Sequence, residues 1–178
     1  MAVPMAGRLQ SFPVLFWLMD RGAVRLLFVC TGNICRSPTA DAVARQRCEI
    51  AGLDWDIDSA GTGDWHVGEA PDERAVAAGA ERGYDLSVLS ARAVEPADFT
   101  RFDHVIAMDG SHLDFLRRMP SARRGARLSL AMDWAGEPGR DVPDPYYGGD
   151  EGFDAVLDMI ERSVDGLVDR LRIGQSSG

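Results

Sequence analysis

Val24-Arg25-Leu26-Leu27-Phe28-Val29-Cys30-Thr31-Gly32-Asn33-Ile34-Cys35-Arg36-Ser37-Pro38 is the stretch that decides the fold of this chain. Residues 24–29 are a nearly continuous β-type run, the pattern of a strand covered on both faces. After Cys30, Gly32 and Asn33 tolerate positive φ, so successive N–H groups of a loop can turn inward as an anion nest. Ser37 suits an N-cap and Pro38 the first helical position. The helix they open is expected over 39–51, where Ala40, Val43, Ala44 and Cys48 recur at helical spacing. A strand, a loop and a helix N-terminus in that order form the place where open α/β sheets bind ligands.

Outward from there, apolar runs alternate with helical stripes. Trp55–Ser59 has period two and is expected to be a second strand, and Asp72 to Arg82 reads as a helix ended by Gly83. His104–Met108 is a third strand, followed by a helix over roughly 111–119, and Arg127–Leu130 is a short fourth strand. Phe153, Val156, Leu157, Ile160, Val164, Leu167, Val168 and Leu171 share one stripe, with Asp154, Asp158, Glu161, Asp165 and Asp169 off it, so this last helix faces the core. Strands separated by helices give a parallel sheet with helices on both faces. A single α/β domain is expected over 23–174, with 175–178 as a disordered tail. Residues 1–22 carry the run Val14–Leu18, too short to span a membrane, and Asp20 and Arg21 stand where small cleavage-site residues belong. They are expected to be an extension outside the fold, with Met19 as an alternative start.

At 178 residues the chain suits one domain that needs no staples. Its 28 acidic and 19 basic residues give a net charge of −9, which argues against a general binder of nucleic acid or anionic membrane. All 19 basic residues are Arg. Without Lys there is no Schiff-base chemistry and no Walker A lysine, so any phosphate must be held by Arg and backbone amides. Cys30, Cys35 and Cys48 form neither a disulfide framework nor a zinc pattern, and His66, His104 and His112 lack metal-ligand spacing. A reducing, cytoplasmic setting fits that cysteine usage. Arg117, Arg118, Arg123, Arg124 and Arg127 make a local basic patch, read as a solvated face rather than a docking site.

A cysteine at a helix N-terminus beside a guanidinium has its pKa lowered into the range ~3.5–7.5. Cys30 is therefore expected to be a nucleophilic thiolate, with Arg36 as a bidentate fork for a phosphoryl dianion. The leaving oxygen needs a proton. Asp144 sits between Pro143 and Pro145, in a loop stiff enough to hold one carboxyl in place for general acid catalysis. Tyr146 and Tyr147 either wall a slot for a flat aromatic substrate or pack under the last helix.

Residues 29–38 together with Asp144-Pro145-Tyr146-Tyr147 resemble the low-molecular-weight protein tyrosine phosphatases, and the likeness spans about Val24 to Arg172. Ser59-Ala60-Gly61-Thr62, Trp65-His66-Val67-Gly68, Ala91-Arg92 and Met108-Asp109 resemble family landmarks in the same order. The resemblance implies a four-stranded parallel sheet of order 2-1-3-4 and a two-step mechanism with no cofactor and no metal. By the same resemblance Cys30 becomes a phosphocysteine, Arg36 binds phosphate, and Asp144 serves as acid and then as base. Thr31, Gly32, Asn33, Ile34, Cys35 and Ser37 form the phosphate loop, with Ser37 donating to the thiolate. Asn33 with Ser59 holds that loop in shape, and Asp109 supports it. Trp65, Tyr146 and Tyr147 line the entrance, and Cys35 is a redox partner for Cys30. The implied partner is a phosphotyrosine-containing protein, a bacterial tyrosine kinase among the candidates, with neither nucleic acid nor membrane involved and the chain a monomer or weak dimer. Leu89 stands where many members have His, removing one support expected near Asn33.

Three other readings share parts of this pattern. A thiol-dependent arsenate reductase needs cysteines well downstream, and none follows Cys48. A protein-arginine phosphatase looks to carry Thr where this chain has Ile34. A silent phosphotyrosine-binding module would not need all three catalytic residue types.

Overall fold

The computed structural model describes residues 23–123 and 125–176. Residues 1–22, Arg124 of the basic patch and the last two residues of the expected tail lie outside them. Four strands, β1 (Arg25–Cys30), β2 (Asp56–Gly61), β3 (His104–Ala107) and β4 (Arg127–Leu130), form one sheet in the order β2-β1-β3-β4. Every pairing is parallel. Helices α1 (Arg36–Ala51), α2 (Glu73–Glu81), α3 (Asp98–Arg101), α4 (Gly110–Arg118), α5 (Ala131–Trp134) and α6 (Asp150–Ser176) cover it.

Alternation along β1 assigns the two faces. Leu26, Phe28 and Cys30 join the core built with α1, α2, α5 and α6, whereas Leu27 and Val29 join Phe99, Leu113 and Leu116 on the face of α3 and α4. Each fully buried Leu or Phe contributes about 1.5–3 kcal/mol, and β1 is apolar on both sides because both sides are covered.

Most boundaries move by one or two residues from the sequence reading. The larger correction is the start of α1. Its N-cap is Cys35, which makes no side-chain capping bond, so Ser37 and Pro38 are the second and third helical residues rather than cap and first position. Pro38 is harmless there, because N–H groups of the first turn have no intrahelical acceptor to lose. Asp72 and Asp109 do cap: their carboxylates accept from the N–H groups of Arg74 and His112 at the starts of α2 and α4. The short helices α3 and α5 are absent from the sequence reading, and α6 runs beyond residue 174 to Ser176.

Candidate active site

Cys30 ends β1 beside Gly61 of β2, and residues 31–35 carry the chain around to α1. Loop and sheet are stitched together, since Thr62 N–H donates to Cys30 O at 2.8 Å and Gly63 N–H to Thr31 O at 2.9 Å. Gly61 permits this contact, because a Cβ there would lie 2.8 Å from Thr31 O. Asn33 alone among the described non-glycine residues has positive φ, at 56°. Gly32 does not, contrary to expectation; its reason is close approach, as a Cβ would come within 2.8 Å of His66 Cδ2.

Arg92 N–H donates to Asn33 Oδ1 at 2.9 Å, which points Asn33 Nδ2 at Ser37 Oγ, 2.8 Å away. Ser37 Oγ lies 3.0 Å from Cys30 Sγ and 3.3 Å from Ala60 O. One hydroxyl proton cannot serve both. With the sulfur ionised the proton goes to sulfur, and Asn33 fills an oxygen lone pair, giving a directed chain from Arg92 to Cys30. Asn33 is thus held at both ends although Leu89 stands where the resemblance leads one to expect a histidine, and Leu89 packs against the core. Ser59 does not meet Asn33. It faces α1, near the buried Asp41 carboxylate.

Arg36 is 3% exposed. Its Nη1 donates to Asp109 Oδ2 at 2.8 Å and Val142 O at 3.0 Å, while Nη2 faces Asp144 Oδ2 at 3.2 Å and Thr31 Oγ1 at 3.4 Å. Burial opposes charge on Asp109, yet the Ser111 hydroxyl, the His112 N–H and the charge of Arg36 hold its carboxyl below the ordinary range. Tyr146 N–H donates to Asp144 Oδ1 at 3.1 Å, and Arg74 of α2 donates to Tyr146 O and Gly148 O. The guanidinium of Arg74 also lies over the rings of Tyr146 and Phe153, which ties the Asp144 loop to two helices.

These groups converge on a pocket of about 210 Å³ lined by Cys30, Thr31, Gly32, Ile34, Cys35, Arg36, Trp65, His66, Asp144, Tyr146 and Tyr147. Asn33 and Ser37 lie behind its wall, buried. The tyrosines do not pack under α6, since Tyr147 is 90% exposed and meets Tyr146 edge to face, 5.1 Å between ring centres. The sequence reading had no role for Arg74, Arg92, His66 or His112. His112 Nε2 lies 2.7 Å from Thr31 Oγ1. Its only sequence signal is a place three residues after the capping Asp109.

A thiol, a buried guanidinium and a carboxyl around one cleft can bind a tetrahedral oxyanion, attack its centre and protonate a departing oxygen. The sequence profile described as Low molecular weight phosphotyrosine protein phosphatase matches residues 25–176. A Streptomyces coelicolor protein named Low molecular weight protein-tyrosine-phosphatase is 49% identical over 154 residues, covering 83% of this chain and 93% of that one. The chain belongs to the low-molecular-weight phosphotyrosine protein phosphatase family. The solved structure of Bacillus subtilis YfkJ matches with a TM-score of 0.80 at 34% identity, over 86% of this chain and 98% of that one. A Drosophila arginine phosphatase matches with a TM-score of 0.76 at 31% identity, over 82% and 96%, so backbone likeness does not separate the two substrate classes.

Proposed function

We propose that this protein hydrolyses phosphotyrosine in protein substrates through a phosphocysteine intermediate, in the cytoplasm. In the first step Cys30 sulfur attacks phosphorus, the bond from phosphorus to the aryl oxygen breaks, and Asp144 gives the departing oxygen its proton. In the second, Asp144 takes a proton from water, the water oxygen attacks phosphorus, and the sulfur leaves as thiolate with inorganic phosphate. The single observation carrying this reading is that Cys30, Arg36 and Asp144 line one pocket, with Asp144 on the outer edge of the Arg36 guanidinium. An incoming phosphoryl dianion competes for that edge and frees the carboxyl to act as the acid. Gly32, Ile34 and Cys35 complete the loop wall. Trp65, Tyr146 and Tyr147 offer aromatic faces to a phenyl ring, and the bulk of Ile34 favours an aryl ester over a phosphoguanidinium. We also propose that, after a peroxide oxidises Cys30, Cys35 closes a reversible disulfide with it.

Cys30→Ser is expected to abolish turnover of an aryl phosphate while inorganic phosphate still binds, and retained turnover removes the nucleophile assignment. Asp144→Ala is expected to slow esters with poor leaving groups by about 10²-fold or more, the usual worth of a general acid, and good leaving groups far less. Equal slowing across the series removes Asp144 as the acid. Rates on phosphotyrosine, phosphoserine and phosphoarginine peptides and on arsenate, measured side by side, test the substrate class.

A further inference from the structure

Thr31, His112, Asp109 and Arg36 close a ring around the inner wall of the pocket. Arg36 Nη1 binds Asp109 Oδ2 at 2.8 Å, Arg36 Nη2 faces Thr31 Oγ1 at 3.4 Å, and Thr31 Oγ1 meets His112 Nε2 at 2.7 Å. His112 Nδ1 returns to Asp109 Oδ1 at 3.0 Å. That last link is a close approach and not a hydrogen bond, and the hydrogen bonds Oδ1 accepts come from Ser111 Oγ at 2.6 Å and from the His112 N–H at 3.0 Å. Four side chains from the phosphate loop, α1 and the start of α4 therefore depend on one another.

The protons in this ring can be placed. The His112 side chain is 3% exposed, and burial pushes its imidazole down to about 4, so at neutral pH one ring nitrogen is bare. A bare Nδ1 would set its lone pair against a carboxylate oxygen at 3.0 Å. The proton therefore belongs on Nδ1 and the lone pair on Nε2. Thr31 must then donate its hydroxyl proton to His112, which leaves the Thr31 oxygen only lone pairs for the pocket. In that state it can receive a hydrogen from Arg36 but cannot offer one to a phosphate.

We propose that His112 is a positioning residue for oxyanion binding: it fixes the Thr31 hydroxyl as an acceptor, so that Thr31 and Asp109 hold the two ends of the Arg36 guanidinium in the plane of its bidentate grip. The inference rests on the reading of Arg36 as the phosphate-binding group, but not on tyrosine as the substrate. It assigns to the fold a four-membered side-chain ring whose far corner never touches the ligand.

The test reads inorganic phosphate binding, through the protection phosphate gives Cys30 against iodoacetate, with each variant referred to its own rate without phosphate. Thr31→Val and His112→Phe are each expected to weaken phosphate binding about tenfold, the worth of one well-placed hydrogen bond. The double variant is expected to lose about tenfold again in total rather than a hundredfold, since both changes break the same link. His112→Gln, whose side-chain oxygen can accept from Thr31, restores most of the loss. Additive losses, single variants with wild-type affinity, or a Gln variant no better than Phe each overturn the proposal. Should His112→Phe fail to fold, nitrogen-15 shifts of the wild-type imidazole decide alone: protonation on Nδ1 at pH 7 is expected, and protonation on Nε2 or on both refutes it. If the ring behaves as stated and no aryl phosphate is turned over, the substrate assignment has failed and the positioning role stands.

Discussion

Cys30, Cys35 and Cys48 are all buried and free, yet their surroundings differ in kind. Cys30 has the Ser37 hydroxyl at 3.0 Å and lines the pocket beside Arg36. Cys35 has burial first, then the carboxylates of Asp72 and Asp144, and its thiol is pushed up to about 12. Cys48 lies among apolar side chains of α1, and burial pushes it up to about 11. Only a thiolate is alkylated at a useful rate. One equivalent of iodoacetate near pH 7 is therefore expected to label Cys30 alone, as read by peptide mass spectrometry, and inorganic phosphate is expected to block it. A first label on Cys35 or Cys48 contradicts the arrangement. At this scale local spacing singled out Cys30, Arg36 six residues on, and Asp144 between two prolines, and the structure brings all three to one pocket. Spacing could not reveal Arg92, whose contribution to Asn33 is a backbone N–H 59 residues away, because any residue type but proline supplies that donor. Ser59 faces α1 and not Asn33, because packing between β2 and α1 rather than local spacing decides which buried polar group a hydroxyl approaches.

Helices were legible in proportion to their length. The apolar stripe of α6 repeats over many turns, and its core face is the one drawn from spacing alone. Helices α3 and α5 have four residues each, too few to show a period, and α5 exists because a neighbour satisfies its carbonyls. The junction of α5 and α6 shows how. Ser163 Oγ donates to Ala131 O at 2.6 Å, Arg170 Nη1 donates to Asp133 O, and Gly166 lets α6 come down on the Trp134 carbonyl. A Cβ at Gly166 would lie 2.0 Å from Trp134 O, and backbone of a packed helix cannot step aside as a flexible side chain can. Gly166→Ala is expected to cost about 3 kcal/mol by overpacking and to lower Tm by roughly 6–12 °C. Because Gly166 touches no residue of the pocket, kcat per folded molecule is expected to hold well below the transition. A thermal melt and an active-site titration check both parts, and an unchanged Tm denies the close approach.

Across the whole molecule the parallel sheet and the site's location followed from the alternation of apolar runs and helices, the strand order only from the family resemblance, and composition mainly excluded chemistries. Net charge did not foretell how acid acts on the fold, because that depends on which groups are buried. His112 is held neutral by burial down to about 4, and His104 is lowered in the same direction by burial and by the charge of Arg127. In the unfolded chain both histidines take protons near the ordinary value of about 6.5. Between about 6.5 and 4 the unfolded chain therefore binds more protons than the native one, and stability falls as pH drops through that window. Above 6.5 neither state is protonated and the effect vanishes. Asp41 works in the opposite sense, since burial raises its carboxyl and acid relieves the cost of keeping it charged. Asp72, Asp103 and Asp109, held below the ordinary carboxylate range, lose their contribution only at lower pH. The informative quantity is thus a difference between two proteins. From pH 7 to pH 5, wild type is expected to lose about 2 kcal/mol more than His112→Gln, the linkage expected of one histidine displaced this far. Urea unfolding of both proteins at the two pH values measures it. Parallel losses would mean that His112 is already protonated in the native state at pH 5, and with it the neutral imidazole on which Thr31 depends would be gone.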